Sequence, residues 1–266
     1  MPRFLLISIS LSLFGLSACE QRPSLSPTDP FEGYAWVDLS HSYDAETIFW
    51  PTGKPFEHIQ TAWGETEGGY FYSSFDFFVS EHAGTHLDSP IHFSAGKQTV
   101  DQLAISRLAG PAVVIDVTSA VATDPDYLVS VDDIESAGEF PDGAIVLVRT
   151  DWSSRWPDTK AYLGDDRPGR TDDLHFAGIA PEAARLLAER GVTAVGIDTA
   201  SIDHGPSTDF QTHQILAELE IVGLENLTNL AALPERGAYV IALPMKIGGG
   251  SGAPCRVVAL VPRAGA

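Results

Sequence analysis

Apolar and polar positions divide the chain into an early stretch of strands and a later stretch in which strands alternate with helices. AWVDLS (35–40) alternates with period two and predicts a first strand. FYSSFDFFVS (71–80) is aromatic and partly alternating, and predicts a second. AVVIDV (112–117) and AIVLVR (144–149) are unbroken apolar runs rich in β-branched residues, the pattern of strands buried on both faces. PEAARLLAER (181–190) changes to helical spacing, with Pro181 suited to a first turn and Gly191 to a C-terminal cap. TAVGID (193–198) predicts another strand and THQILAEL (212–219) another helix. AYVIAL (238–243) and CRVVAL (255–260) predict two late strands joined through KIGGGSGAP. Helices alternate with strands only in the second half, so the expected class is α/β, single-domain, with a mixed rather than a regular doubly wound sheet. The pattern contains no internal repeat and no second domain boundary.

The first twenty residues do not belong to that pattern. MPRFLLISISLSLFGLSACE has a basic start at Arg3, an apolar run from Phe4 to Leu16, and then small residues, the layout of a secretory signal peptide. The run is shorter than the about 20 apolar residues of a membrane span. Leu16-Ser17-Ala18-Cys19 resembles the lipobox of bacterial lipoproteins, which implies cleavage before Cys19 and lipidation of that residue. Glu20 would then be the second mature residue, which leans toward the outer membrane. QRPSLSPTDP (21–30) reads as a flexible tether. The expected organisation is a signal peptide at 1–18, a lipid-anchored tether at 19–33 and one domain at 34–266. The protein would sit in the cell envelope on the periplasmic side, held to the membrane by its lipid anchor alone. The competing reading is a plain secreted protein in which Cys19 is incidental.

Composition narrows the partners. At 266 residues with 44% hydrophobic and 20% charged positions, the chain can bury a substantial core. A net charge of −20 excludes the basic footprint that nucleic acid requires, and implies a soluble, self-repelling surface. The only cysteines are Cys19 and Cys255, so no disulfide framework is expected. With Cys19 lipidated, Cys255 is expected to be a small buried apolar residue.

The densest chemistry lies in EHAGTHLDSPIHF (81–93), where three of the eight histidines, His82, His86 and His92, surround Asp88. Imidazole nitrogen and carboxylate oxygen are ligands for zinc and related ions at about 2 Å. Fully extended, His82 to His92 would span roughly 35 Å, so convergence requires a bend. Gly84 and Pro90 permit one. His86 and Asp88 are two residues apart and share one side of an extended chain, about 6.6 Å apart. His82 can join them across the Ala83-Gly84 turn, while His92, beyond the proline, can stand beside an ion rather than on it. The alternative is four polar residues on a solvated loop, which the density of donors disfavours. HEXXH is absent, and Gly84 and Pro90 oppose a long helix here.

HAGTHLDSPIHF resembles the HxGTHxDxPxHF signature of the metal-dependent cyclase family, which includes bacterial kynurenine formamidase and isatin hydrolase. The likeness extends to DLSHSYDAETIFWPTGKPF (38–56), HFAGIAPEAARLLAERGVTAVGIDTASID (175–203), THQILAELEIVGLENLTNL (212–230) and LPMKIGGGSGAPCRVVAL (243–260). It covers nearly the whole chain after the tether. The resemblance implies a β-barrel-like core with flanking helices, of the swivelling β/β/α type. It implies His82, His86 and Asp88 as metal ligands, with Asp88 bridging two ions. His213 and Glu225 would complete the second site, His92 would be the acid/base residue, and Trp50 would line the substrate pocket. It implies two divalent ions per chain, zinc or manganese, although nitrogen and oxygen donors suit iron as well. It also implies a homo-oligomer. The residues alone lead to His82, His86, Asp88 and His92; they do not single out His213 or Glu225, since lone histidines and turn glutamates are usually solvated or structural.

The activity so implied is metal-dependent hydrolysis of a carbon–nitrogen amide bond in a small-molecule aryl formamide or lactam. Metal-activated water attacks, and His92 moves the proton. An isatin-type cyclic amide hydrolase is the alternative to an N-formylkynurenine formamidase, and export argues against a role in routine cytoplasmic tryptophan breakdown. A non-catalytic metal-binding lipoprotein is the reading from another class, and His92 beside the donors argues against it. His41, His58, His175 and His204 lack ligand-like neighbours and are expected outside the site. Asp198 is expected to support the fold. GGGSG (248–252) reads equally as a hairpin turn or as a close backbone approach to substrate.

Overall fold

The computed structural model describes residues 31–263, so the expected signal peptide, Cys19 and the tether as far as residue 30 lie outside the described residues. Contacts gather the chain from Gly33 onward into one unit. Its strands are β1 (Tyr34–Asp38), β2 (Glu57–Glu65), β3 (Phe71–Phe78), β4 (His86–Asp88), β5 (Ala109–Asp116), β6 (Leu128–Val129), β7 (Ile145–Arg149), β8 (Gly178–Ile179), β9 (Ala194–Ile197), β10 (Val222–Glu225), β11 (Arg236–Pro244) and β12 (Gly252–Pro262). Its helices are α1 (Thr118–Val121), α2 (Val131–Ser136), α3 (Thr159–Leu163), α4 (Pro181–Glu189) and α5 (Gln211–Glu218).

The main sheet runs β1-β12-β11-β5-β7-β9-β10-β4, and β4 also pairs with β12. That last pairing closes seven strands into a barrel-like ring, with β1 added outside on β12. β5, β7, β9 and β10 are parallel neighbours, while β4, β11 and β12 run antiparallel to theirs. The sheet is therefore mixed, as the pattern predicts.

The unbroken apolar runs are explained by two cores, one on each face. Along β5 and β7, Val113, Ile115, Val146 and Val148 face a core shared with the helices. Ala112, Val114, Ile145 and Leu147 face a second core with Leu87, Leu224, Val240 and Val257. Period two is present, but both faces are dry, so the sequence shows no polar alternation. In α4, Ala183, Ala184 and Leu187 supply the buried stripe against the first core, and Pro181 stands at the helix start. Gly191 follows with φ of +72°, the left-handed conformation of a C-terminal glycine. Cys255 is buried, free and apolar in setting, as expected, and burial raises its thiol pKa.

Five strands escape the sequence pattern, among them the two-residue pair β6 and β8. β2 pairs with β3 alone, as an aromatic hairpin whose side chains are largely exposed. β4 has three residues, because Pro90 ends it by starting a 3-10 turn. β10, of four residues, is short and buried throughout. Of these, β4 and β10 are the ones that carry the candidate site. Among the described residues no helix is long and apolar enough to cross a membrane.

Candidate metal centre

β4 and β10 pair antiparallel with Glu225 directly opposite His86, so one cross-strand neighbour pair brings the late glutamate to the early histidine. His86 and Asp88 project from the same face of β4, as their spacing predicts. His86 Nε2 lies 3.3 Å from Asp88 Oδ1 and 3.3 Å from Glu225 Oε2. The turn before β4 brings His82 Nδ1 to 2.6 Å from Asp88 Oδ1. α5 brings His213 Nε2 to 3.1 Å from both Asp88 Oδ2 and Glu225 Oε1. Two overlapping groups result, His82–His86–Asp88 and Asp88–His213–Glu225, whose donor atoms lie within 4.8 Å of one another. Asp88 is common to both. Every member except His82 is buried.

The bend at Gly84 has a steric cause. Its φ is +58°, and a Cβ there would lie 2.8 Å from the Tyr43 ring. The Tyr43 hydroxyl donates to the Ala83 carbonyl at 2.8 Å and also contacts that of Thr85, so the N-terminal segment clamps the turn.

Each imidazole is held by its outer nitrogen. His86 Nδ1 donates to the Gly84 carbonyl at 2.9 Å. His213 Nδ1 donates to Asp203 Oδ2 at 2.6 Å, and Asp203 also accepts the backbone N–H groups of Thr212 and His213 at the start of α5. Ser251 Oγ donates to Glu81 Oε2 at 2.7 Å, so it must accept from His82 Nε2, 2.9 Å away. Three outward N–H groups leave three lone pairs converging on two carboxylates. His86 Nε2 is buried with no hydrogen-bond partner. Lone pairs facing carboxylate oxygens in a dry site require a positive charge between them, and a divalent cation fits that demand.

The protonation energetics carry the same demand. Burial alone would lower the pKa of His86, but Asp88 and Glu225 raise it to about 10. Burial likewise opposes charge on His213, and Asp203, Asp88 and Glu225 override it and push its pKa well up. Asp88, despite burial, stays well below the usual carboxylate range because of His82, His213 and His86. The cluster therefore takes up protons when it lacks a cation, and a bound cation must displace them.

His92 ends the 3-10 turn Pro90–His92 and stacks on His82 with ring centroids 3.7 Å apart. Burial lowers its pKa to about 4, leaving a neutral imidazole beside the donors and not among them. Both rings face a cavity of about 400 Å³ that also includes Trp50, Phe93, Phe210, His213 and Glu225. Trp50 and Phe93 each approach Phe210, at 5.9 and 5.5 Å between ring centroids. A roomier groove of about 920 Å³ beside α4 and α5 holds none of the clustered donors, so the smaller cavity is the one positioned for chemistry.

The structure brings His82, His86, Asp88, His213, Glu225, His92 and Trp50 to one place. His41 instead stacks on Trp156, His58 on Phe75, and His175 pairs with Asp126 at 2.7 Å. Asp198 accepts from the Thr150 backbone and hydroxyl, in a supporting position. The glycine stretch makes a close approach to His82: a Cβ on Gly252 would sit 2.5 Å from His82 Cε1. Sequence reasoning missed Asp203, Ser251 with Glu81, Phe93 and Phe210. Asp203, Ser251 and Phe210 have no local signal, because each acts through a contact away from its own segment; Glu81 and Phe93 lie within the 81–93 stretch and could have been read from it.

Residues 37–204 match the description of the Cyclase family. An isatin hydrolase of Roseibium aggregatum is 35% identical over 212 residues, covering 75% of this chain and 79% of that protein. A kynurenine formamidase of Salinibacter ruber is 32% identical over 234 residues, covering 84% and 96%. The crystal structure of an isatin hydrolase bound to the product analogue thioisatinate superposes with a TM-score of 0.79 at 31% identity, covering 87% of this chain and 94% of that one. Isatin hydrolase A from Ralstonia solanacearum gives 0.76 at 34% identity, covering 86% and 93%. By motif, by closed mixed barrel and by these relatives, the chain belongs to the Cyclase family.

Proposed function

We propose that the protein is a metal-dependent hydrolase that cleaves the carbon–nitrogen bond of a small aromatic amide, either a lactam or an aryl formamide. The observation that carries this reading is the cluster of five metal-type donors, three of which, His82, His213 and Glu225, line one cavity with the neutral His92 and the rings of Phe49, Trp50, Phe93 and Phe210. His82, His86 and Asp88 would hold one divalent ion, and Asp88, His213 and Glu225 a second. When bound, the metal supplies an acidified water and a positive charge facing the substrate carbonyl.

The chain's own residues do the rest. Trp50, Phe93 and Phe210 bind a flat aromatic body and exclude water from one side of the carbonyl. His92, held against His82, takes the proton of the attacking water and returns it to the departing nitrogen. The carboxylates and the outer hydrogen bonds keep the imidazoles fixed while charge moves. The choice of zinc or manganese, and the number of ions, belongs to this proposal, because the donor set suits both metals.

A cyclic amide of the isatin type is favoured by the likeness to isatin hydrolases at 35% identity and a TM-score of 0.79. A formamidase remains the second reading, supported by relatives of that name matched over up to 96% of their length. Hydrolysis of isatin and of N-formylkynurenine, each with and without added Zn²⁺ or Mn²⁺, separates the two. Metal binding without turnover of either would leave a binding protein instead.

Location and assembly are part of the proposal. The layout of residues 1–20 supports export and a lipid anchor at Cys19, in the cell envelope and with the outer membrane favoured. The β2–β3 hairpin supports a homo-oligomer. It carries six aromatic residues from 41% to 63% exposed, and an isolated two-stranded hairpin is marginal in water. Half-covering six aromatic side chains removes on the order of 600 Å² per copy. Two copies reach the about 1,200 Å² at which specific interfaces begin. Sedimentation of the wild-type protein at micromolar concentration tests this, and a monomer would refute it.

A further inference from the structure

Asn226 follows the donor Glu225 directly and ties together two segments that are distant in sequence. Its Nδ2 donates to the Gly84 carbonyl at 2.8 Å. That same carbonyl accepts His86 Nδ1 at 2.9 Å. On its other side Asn226 Oδ1 lies 3.0 Å from the hydroxyl of Tyr162, which is fully buried. The Tyr162 hydroxyl also lies 3.0 Å from the Asp198 carbonyl. The backbone of Asn226 is held as well, its N–H by Thr199 and its carbonyl by the Thr85 hydroxyl at 2.6 Å.

The direction of the side-chain amide follows from its partners. The Gly84 carbonyl can only accept, so it must face Nδ2, and Oδ1 is left for the Tyr162 hydroxyl. Tyr162 is anchored in turn, since its carbonyl accepts Trp152 Nε1 at 2.7 Å. A buried carbonyl with two strong donors has little freedom to move. Its position decides where His86 Nδ1–H points, and therefore where the opposite nitrogen, Nε2, points. That Nε2 is the buried atom without a partner, 3.3 Å from Asp88 and from Glu225. Asn226 has φ of +53°, a conformation that asparagine tolerates better than most residues.

We infer that Asn226, oriented by Tyr162, is a positioning residue for metal binding: through the Gly84 carbonyl it fixes the tautomer and aim of His86. The inference rests on the metal reading above and adds two residues to it, neither of which is one of the donors, although Asn226 borders the same cavity.

The test measures Zn²⁺ affinity of the metal-stripped protein by competition with a chromophoric chelator. The visible spectrum of the Co²⁺-loaded form and the thermal midpoint of the metal-free form are recorded alongside. Asn226→Asp keeps the shape and the left-handed tolerance but removes the Nδ2 donor. Asn226→Gly keeps the backbone freedom and removes the whole amide. The two share the loss of the donor and differ in charge and volume. Both are expected to bind Zn²⁺ about 10–100-fold more weakly, with an altered Co²⁺ spectrum. Tyr162→Phe is expected to cause a smaller loss. In the Asn226→Gly background it should add nothing to the loss of metal affinity, because the side chain through which Tyr162 acts on the Gly84 carbonyl is gone. Wild-type affinity in either Asn226 variant overturns the inference. So do additive losses in the double variant, which would mark two independent structural defects. Failure of the wild type itself to bind Zn²⁺ sinks the metal reading instead, so the two failures are distinguishable.

Discussion

Gly252→Ala probes the cluster through its geometry and leaves every donor in place. A Cβ at residue 252 would lie 2.5 Å from His82 Cε1, 3.0 Å from His82 Nδ1 and 2.6 Å from the Leu87 carbonyl oxygen. Ordinary contact begins at 3.4 Å, so a neighbour must give way by about 1 Å. The Leu87 carbonyl belongs to β4, which is paired on one side to β10 and on the other to β12, in register with Gly252 itself. The imidazole is the softer partner. Its retreat by about 1 Å turns the Nδ1 lone pair away from the point it shares with Asp88, which it now faces across 2.6 Å, and spoils the aim of one donor. Overpacking of this kind typically costs about 1–3 kcal/mol. In a domain of this size each kcal/mol lowers the midpoint by roughly 2–4 °C. The expected variant therefore melts about 2–12 °C lower without metal. It should also bind Zn²⁺ at least about tenfold more weakly and gain less stability from added Zn²⁺ than the wild type does. Differential scanning fluorimetry with and without EDTA, with elemental analysis after dialysis, reads both effects. A variant with wild-type metal content and an unchanged metal-free midpoint would refute the placement of His82 against β12.

Further outcomes follow from the same geometry. His92→Ala should abolish hydrolysis while metal content, by elemental analysis, stays at the wild-type level; loss of metal would make His92 a ligand. Asp203→Asn removes the charge that orients His213 and caps the first N–H groups of α5. It should weaken metal binding about 10–100-fold, read by chelator competition. Asp198 gives a pH signature. Burial raises its pKa from 3.8 to about 6 against the pull of its Thr150 bonds. The folded state thus holds this proton more tightly than the unfolded state. The contribution is present in full below about pH 4 and is lost as pH rises through 6. Asp198→Asn keeps an acceptor for Thr150 and removes the titration. It should gain up to about 3 kcal/mol over wild type at pH 8 and nothing near pH 3.5, by urea denaturation. A variant less stable than wild type at pH 8 would contradict this account of the buried carboxyl.

Local order decided much of what could be read in advance. The runs at 112–117 and 144–149 are strands because β-branched residues fit a pleated surface, and no other reading suits so short an apolar run between turns. Pro181 and Gly191 bracket α4 through their own backbone preferences. His86 and Asp88 share a face because the strand period is two, and Gly84 bends the chain because it lacks a Cβ. These are properties of neighbours in sequence, so the sequence determined them: the α/β class, most of the elements and the nucleus of the donor cluster. The family resemblance, through 38–56 and 212–230, extended this to Trp50, His213 and Glu225, which no local rule would have chosen.

Tertiary structure alone decided the rest. Glu225 becomes a neighbour of His86 through the register of β4 on β10, two strands too short to carry a period of their own. Closure of the ring by β12 on β4 sets Gly252 against His82, and no pattern in the GGGSG stretch encodes that distance. Asp203 and Ser251 hold His213 and His82 through single hydrogen bonds, and Asn226 holds the Gly84 carbonyl that His86 faces, each a common polar residue in its own segment. Composition and periodicity record what each residue prefers locally. A site that needs a cation among converging lone pairs depends on which distant segments meet, and that is set by how the two cores pack.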